Sequence, residues 1–138
     1  AALVDGALWC WGYNSDGAVS RTLRNEHRPV AFPLGGRRAT ALATGARHTC
    51  ALLDGTEVWC WGRNHAGQLG DGTATGRLSA VRVAGLDGEP TRLAAGVAFS
   101  CAALADGRAR CWGGGGNGQL GDGGTESSPA PTTVRLPP

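Results

Sequence analysis

The sequence CALLDGTEVWCWGRNHAGQLGDG, at residues 50–72, decides the fold because variants of it occur on both sides. A later copy starts at Cys101 and ends in the same GQLGDG at 118–123, and an earlier copy starts at Ala1 as AALVDGALWCWG. Equivalent positions are separated by 50 or 51 residues. Self-similarity at such a period is the signature of solenoids and propellers. We therefore divide the chain into a truncated first repeat at 1–38, a second repeat at 39–88 and a third repeat at 89–138.

Four short strands are predicted within the second repeat, each bounded by Gly, Asp or Asn. They cover residues 40–44, 48–53, 56–61 and 79–84. Four short antiparallel strands per repeat describe one blade of a propeller. The sequence therefore predicts an all-β fold of about three four-stranded antiparallel blades, which form an incomplete β-propeller in this chain.

Tryptophan marks the third strand of each repeat. Trp11, Trp61 and Trp112 occupy equivalent positions, whereas the counterpart of Trp59 in the third repeat is Arg110. Strand alternation places Trp59 and Trp61 on the same side of their sheet. We expect the recurrent tryptophan to be a packing residue and the variable position to lie nearer the surface.

Two pairs of cysteines are ten residues apart, Cys50 with Cys60 and Cys101 with Cys111. Each pair flanks an Asp-Gly, a hairpin signal that places the two strands side by side. Facing residues at a non-hydrogen-bonded site have Cα atoms about 4.5 Å apart, which a disulfide tolerates. We favour disulfides, with free buried thiols as the alternative. A metal site ranks third, because zinc sites use close pairs such as C-x-x-C.

Cys10 lacks a partner in the sequence. A three-residue loop at 105–107 would put the two cysteines of the third repeat opposite each other, and residues 4–6 fit the same frame. In that frame the missing partner of Cys10 lies upstream, one place before Ala1. In the second repeat the Asp-Gly lies one residue nearer the first cysteine, which predicts a different turn type at Asp54. A persistent disulfide implies an oxidising compartment, so we favour an extracellular or cell-surface location.

The composition excludes several functional classes. Hydrophobic residues make up 41% of the chain and the formal net charge is +2, which excludes intrinsic disorder and gives no general attraction to nucleic acid or membrane. No apolar run reaches 18 residues, so no membrane insertion is expected. No signal peptide is visible, but the chain begins inside a repeat, so this says nothing about export.

The first repeat departs from the others after Gly17, where AVSRT at 18–22 replaces QLGDG. A polar segment follows at 20–29, and V-A-F-P-L at 30–34 is predicted as an edge strand or strand end. The concentrated charges that the repeat does not dictate could form a solvated loop. They could also form a basic protein-binding rim, since loops on a rigid scaffold carry function. These candidate protein-binding residues are Arg21, Arg24, His27, Arg28, Arg37 and Arg38.

No set of residues predicts catalysis, a metal or a cofactor. The recurrent acids Asp5, Asp54 and Asp106 are explained by turn chemistry beside glycine. The aspartates of the two G-D-G motifs lack the Asp-x-Asp-x-Asp spacing of a calcium loop. His48 lies close to Cys50, but the corresponding residue of the third repeat is Phe99, so a packed histidine is favoured over a Cys-His nucleophile pair. We therefore expect a protein that is not an enzyme.

The combination of G-x-x-x-x-C-A-L, Asp-Gly, C-W-G and G-Q-L-G-D-G at this period closely resembles the regulator of chromosome condensation repeat. The resemblance covers essentially the whole chain and is strongest to bacterial, cysteine-bearing versions. It implies a seven-bladed β-propeller in which each repeat supplies one four-stranded blade. The chain would then supply fewer than three blades and would associate with further repeats of a parent propeller.

The resemblance implies a protein that binds other proteins through loops. Together with the cysteine pairs and the lack of a catalytic set, it predicts a non-enzymatic protein-interaction module of a secreted or cell-surface propeller. The family is named after a nuclear exchange factor for the Ran GTPase that also binds nucleosomes, but no residues here match its exchange loop. Bacterial relatives include a secreted inhibitor that clamps β-lactamase with loops on one propeller face. The alternatives are a guanine-nucleotide exchange factor for a small GTPase and a carbohydrate-binding or cell-wall structural domain.

Overall fold

The computed structural model describes residues 1–138, which form three antiparallel sheets. The first sheet has three strands in the order β1-β2-β3, and the second and third have four each, in the orders β4-β5-β6-β7 and β8-β9-β10-β11. The strands are β1 Ala2–Val4, β2 Ala7–Gly12, β3 Glu26–Ala31, β4 Ala39–Thr44, β5 His48–Leu53, β6 Glu57–Gly62, β7 Arg77–Arg82, β8 Pro90–Ala95, β9 Phe99–Leu104, β10 Ala109–Gly113 and β11 Ser128–Thr133. The predicted all-β class is confirmed. No helix that could cross a bilayer is present.

The outer strands begin and end earlier than the sequence predicts. The second sheet ends with a strand at 77–82 rather than 79–84, and β3 covers 26–31 rather than 30–34. The apolar residues that suggested the later positions turn inward just after each strand instead. Phe32 is 4% exposed and stacks on Trp61 with ring centroids 4.2 Å apart, and Val83 is equally buried. Their backbone N–H groups still donate to the carbonyls of Leu8 and Val58, each at 2.9 Å, so these residues continue the pairing by one bond while their side chains are buried between sheets.

The hydrophobic core lies between consecutive sheets. One cluster joins the first and second sheets, and a second cluster joins the second and third. Strand β5 is buried along its whole length because it contributes to both clusters, with Ala51 and Leu53 in one and Cys50 and Leu52 in the other. A face of a sheet is therefore buried only where another sheet packs on it, which is the packing expected of repeat units.

The Trp-Gly pair of each repeat forms a bulge at the end of β2, β6 or β10. Pairing with the outer strand shifts between Cys10 and Gly12, between Cys60 and Gly62, and between Cys111 and Gly113. The three glycines have φ values of 107°, 104° and 103°, a region that other residues rarely adopt. The bulge ends regular pairing at the place where the chain leaves for the long loop.

Candidate protein-interaction surface

The cysteine pairs lie at disulfide distance across the hairpins β5–β6 and β9–β10. The register places Cys50 opposite Cys60 and Cys101 opposite Cys111, with Cα atoms 4.1 Å apart in both pairs. The third hairpin has the predicted three-residue loop at 105–107. The Leu104 backbone N–H donates to the Arg108 carbonyl, and Gly107, the last residue of the loop, has a φ of 84°. These are the pairs that the ten-residue spacing predicts.

Cys10 is a free and buried thiol, and the turn of its hairpin determines which residue lies opposite it. The turn has two residues, Asp5 and Gly6, with φ values of 51° and 80°, and Ala2 pairs with Trp9. The three-residue frame predicted for this hairpin was therefore wrong, because aspartate tolerates the left-handed conformation that a two-residue turn requires. Continuing this register places Ala1 itself opposite Cys10, rather than a residue before it. Burial raises the pKa of the Cys10 thiol to about 11.

The predicted binding residues do not form one cluster. Arg24, His27 and Arg28 lie together on an exposed segment that ends the first long loop and begins β3, so part of the predicted loop is an outer strand. Arg21 lies earlier in this loop, beside a cavity between the first and second sheets. The remaining two arginines lie beyond the other end of β3, in its connection to β4.

Arg37 is held by two carboxylates of the second sheet. Its Nε donates to Asp54 at 2.7 Å and its Nη1 donates to Glu57 at 2.6 Å, while its guanidinium lies 5.3 Å from the ring centroid of Trp59. Hydrogen bonds from the Arg37 side chain and the Arg38 backbone hold the pKa of Asp54 below its usual value. The Arg38 side chain packs over Gly6, where an added Cβ would lie 2.9 Å from its Nε. Asp54, a turn residue of the second sheet, therefore also binds the segment that connects β3 to β4.

A recurrent set of hydrogen bonds joins consecutive sheets. Thr49 and Trp61 of the second sheet both donate to the backbone carbonyl of Ala18, at 3.0 and 3.1 Å. At the next interface Ser100 and Trp112 both donate to the carbonyl of Gln68, each at 3.0 Å. At both interfaces one loop carbonyl thus accepts hydrogen bonds from a hydroxyl and an indole of the following sheet. We call this arrangement the carbonyl clasp.

Burial distinguishes the three recurrent tryptophans. Trp61 and Trp112 are 0% exposed, whereas Trp11 is 44% exposed. The prediction that the recurrent tryptophan packs is confirmed for the two that have a preceding sheet. The alternation predicted for β6 is confirmed too, because Trp61 packs toward the first sheet while Val58 and Cys60 pack toward the third.

His48 is buried between the second and third sheets. Its Nε2 lies 2.8 Å from Ser100 Oγ, and its Nδ1 has no hydrogen-bond partner in the structure. Burial lowers the pKa of this imidazole to about 4. Cys50 lies at disulfide distance from Cys60, and His48 bonds to Ser100 rather than to a thiol, so the histidine is a packed residue attached to the carbonyl clasp.

The G-D-G aspartates shape their own loops. Asp71 Oδ1 accepts hydrogen bonds from the backbone and hydroxyl of Thr73 at 3.0 and 2.7 Å, and Oδ2 forms an ion pair with Arg77 at 3.0 Å. In the third repeat Asp122 accepts from the Gly124 backbone at 2.9 Å. No group of three or more His, Cys, Asp or Glu side chains lies close enough together to hold a metal ion.

Sequence reasoning missed a charged cluster around Arg110. This side chain is 9% exposed and forms two parallel hydrogen bonds to Asp87, Nε–Oδ1 at 2.8 Å and Nη2–Oδ2 at 2.9 Å. Arg108 forms a further ion pair with Asp87 at 3.1 Å, and these guanidinium groups hold the pKa of Asp87 well below its usual value. The replacement of Trp59 by arginine was the available signal. Its partner lies 23 residues away, which no local pattern shows.

The three sheets, each packed face to face on the next, define a segment of a β-propeller. One model of the regulator of chromosome condensation (RCC1) repeat matches residues 5–52 and 56–103, and a second model of the same repeat matches 39–68 and 91–119. The chain therefore belongs to the RCC1 repeat family.

The matched region is only a small part of each sequence relative. The chain is 34% identical over 100 residues to the protein RCC2 homolog of Danio rerio, which covers 70% of this chain and 20% of that protein. It is 33% identical over 111 residues to the human E3 ubiquitin-protein ligase HERC2, covering 74% of this chain and 2% of that protein. The chain thus spans a fifth or less of these relatives.

Solved structures confirm the fold. Prp20p from Saccharomyces cerevisiae, studied with its binding to Gsp1p and histones, superposes with a TM-score of 0.82 at 21% identity, over 94% of this chain and 34% of that one. Human WBSCR16 gives a TM-score of 0.81 at 23% identity, over 92% of this chain and 34% of that one. The predicted propeller architecture is confirmed by these similarities, which at this identity establish the fold alone.

Proposed function

We propose that the chain is a non-enzymatic protein-interaction module of a secreted or cell-surface β-propeller. The observation that carries the proposal is the placement of Arg24, His27 and Arg28. All three are exposed, all three belong to the segment where the first repeat departs from the others, and that segment is attached to a packed scaffold. Exposed arginines on a rigid support are favoured at protein interfaces.

The internal bonding of this loop supports a preorganised surface. Asn14 Oδ1 accepts from the backbone of Val19 at 2.8 Å, and its Nδ2 donates to the Ser20 carbonyl at 3.0 Å. Glu26 accepts from the hydroxyls of Ser20 and Thr22 at 2.8 and 3.1 Å. These bonds fix both ends of the loop, so a partner would meet a loop backbone that needs little further ordering.

The absence of catalysis is proposed from the roles that the reactive side chains already have. Asp5 and Asp54 are turn residues with positive φ, and Asp106 accepts from the Arg108 backbone in its own turn. His48 is bonded to Ser100 in the core. Each of these four groups thus has a structural role.

The extracellular or cell-surface location is proposed from the two cysteine pairs. Disulfides persist in oxidising compartments and are rare in the cytosol and nucleus. The proposal differs from the setting of the nuclear exchange factor that gives the family its name, so the chemical state of the cysteines discriminates between the two.

We also propose that further blades of a parent propeller cover the open face of the first sheet. Trp9 and Trp11 lie on this face and are 37% and 44% exposed. The equivalents of Trp11 in the other two sheets each donate to the carbonyl of a preceding loop. A preceding blade of the same repeat would supply that acceptor and bury the indole.

The interaction is tested by capture followed by mutation. The immobilised chain is incubated with secreted proteins of its source, captured proteins are identified and purified, and the affinity is measured for the Arg24→Ala/Arg28→Ala variant. A matched control, Arg92→Ala/Arg135→Ala, removes two exposed arginines from the third repeat. We expect at least a tenfold loss of affinity, about 1.4 kcal/mol, for the first variant only. Unchanged affinity for that variant contradicts the proposed surface.

The two alternatives from the sequence stay predictions, and the same material addresses them. A captured protein that proves to be a small GTPase, with nucleotide release accelerated by the chain, would favour the exchange-factor alternative. Saturable binding to a glycan array would favour the carbohydrate-binding alternative.

A further inference from the structure

A cavity of about 260 Å³ opens between the first and second sheets. Its apolar wall is formed by Pro33 and Leu34, which follow β3, and by Leu53 and Trp59 of the second sheet. Leu53 is 2% exposed and belongs to the core, whereas Trp59 is partly exposed. The cavity therefore has a rigid apolar floor and an indole that a ligand can reach.

Two guanidinium groups lie at the edge of this cavity, and only one is available. Arg37 is neutralised by Asp54 and Glu57, and Glu57 also pairs with Arg82 at 3.1 Å. Arg21 is exposed and makes no ion pair in the structure. The charge that a ligand meets at the mouth of the cavity is therefore that of Arg21.

The interface between the second and third sheets has different residues at the positions of Arg21 and Trp59. The counterpart of Arg21 is Asp71, 50 residues on, and it is tied to Arg77. The counterpart of Trp59 is Arg110, 51 residues on, and it is occupied by Asp87. Both residues that give this cavity its aromatic wall and free cation are thus specific to the first interface.

We propose that this cavity binds a short segment of a protein partner that presents an apolar side chain next to a carboxylate. The apolar side chain would displace water from Pro33, Leu34 and Trp59. The Arg21 guanidinium would donate charge-assisted hydrogen bonds to the carboxylate. Tryptophan and arginine are also the residue types that dominate binding energy at interfaces. The inference rests on the proposed protein-interaction function and names the chemistry of the partner.

The probe is the blocked dipeptide acetyl-Leu-Asp-amide, titrated into the ¹⁵N-labelled chain. The readout is the indole N–H resonance of Trp59, which donates to Glu57 Oε2 at 3.2 Å beside the cavity. The indoles of Trp61 and Trp112 are buried in carbonyl clasps and serve as internal controls. We expect a saturable shift of the Trp59 signal only, at millimolar peptide.

Matched peptides and variants separate the two parts of the proposal. Acetyl-Leu-Asn-amide removes the charge and acetyl-Ala-Asp-amide removes most of the apolar side chain, and each should bind at least tenfold more weakly. Arg21→Gln should weaken acetyl-Leu-Asp-amide to the level of the asparagine peptide, while the exposed control Arg92→Gln should have no effect. Trp59→Arg, which installs the residue of the third repeat, should abolish binding; because this variant lacks the Trp59 indole, its binding is followed by the backbone amide resonance of Leu53, which lines the cavity.

Several results would overturn the proposal. These are a Trp59 signal that does not move, a shift of equal affinity with the asparagine peptide, or an Arg21→Gln variant that binds like the unmodified chain. Failure here is distinguishable from failure of the proposed function. A captured partner that depends on Arg24 and Arg28 but binds equally well to Arg21→Gln and Trp59→Arg would contradict the cavity while leaving the interaction surface intact.

Discussion

Acidification should destabilise the protein through His48 before any carboxylate takes part. The folded pKa of this histidine is about 4 and its ordinary value is 6.5, so the unfolded chain binds the proton more tightly. The stability that comes from keeping the imidazole neutral is complete above pH 6.5 and is lost as the pH falls toward 4. That interval, at 1.36 kcal/mol per pH unit, corresponds to about 3 kcal/mol as an upper limit.

The matched substitution is His48→Phe, because Phe99 holds the corresponding position in the third sheet. Each ring lies against a glycine of its own sheet: His48 contacts the place where a Cβ on Gly45 would lie, and Phe99 does the same at Gly96. The variant removes the titrating group but keeps an aromatic ring there. It also leaves Ser100 bonded to the carbonyl of Gln68.

Urea denaturation at pH 6.5, 5.5 and 4.5 measures the free energy of unfolding of the unmodified chain and of the His48→Phe variant. Glu57 and the four aspartates of lowered pKa begin to lose their contribution only near the lowest of these pH values, and the variant shares that loss because it keeps all five carboxylates. We expect the unmodified chain to lose about 2–3 kcal/mol between pH 6.5 and 4.5, and the His48→Phe variant to lose much less. Parallel losses in the two proteins would refute the assignment to His48.

Three further substitutions test the repeat geometry. Ala1→Cys should form a disulfide with Cys10, measured as the loss of the free thiol in denaturant; a reactive thiol pair would contradict the two-residue turn. Trp61→Ala should cost about 3–5 kcal/mol of unfolding free energy in chemical denaturation, because the indole is fully buried, whereas the exposed Trp11→Ala should cost far less. Gly62→Ala should cost more than about 2 kcal/mol, because φ is 104° and a Cβ would lie 2.6 Å from the Arg47 carbonyl. Gly72→Ala, at φ 83° in open space, is its control, and equal losses would argue against the bulge contact.

The sequence predicted the features that recur and mispredicted those that depend on a neighbour. The strands β4 to β6 were placed within one residue, because the alternation and the turn glycines around Cys50 and Cys60 are local signals. The outer strands were placed too late, because Phe32 and Val83 lie just past the regular strands and are apolar for their burial between sheets. Local periodicity cannot distinguish these two uses of an apolar residue.

For the candidate site, too, the sequence predicted local features and missed those that depend on a neighbouring element. The exposure of Arg24, His27 and Arg28 could be predicted, since it rests on a departure from the repeat within a single segment. The neutralisation of Arg37 by Asp54 and Glu57 could not, because the partners come from another hairpin. The separation of the six residues into different groups likewise depends on the length and direction of β3.

The carbonyl clasp was the larger omission. Ala18 and Gln68 contribute only a backbone carbonyl, so their side chains differ and carry no signal. The hydroxyls of Thr49 and Ser100 precede equivalent cysteines, which was the one visible clue. Recurrent tryptophans therefore indicated burial correctly but did not reveal what their N–H groups bind.

The state of the cysteines in protein from its native source tests the central claim most directly. Cells are quenched with an alkylating agent, and the protein is digested with trypsin without reduction. Cys50 and Cys60 fall in the same tryptic peptide, 48–63, so their disulfide leaves this peptide unalkylated and lighter by two hydrogen atoms. We predict this peptide, together with a linked pair of peptides carrying Cys101 and Cys111. Alkylation of all four cysteines would contradict the account of a disulfide-bridged module that acts outside the cell.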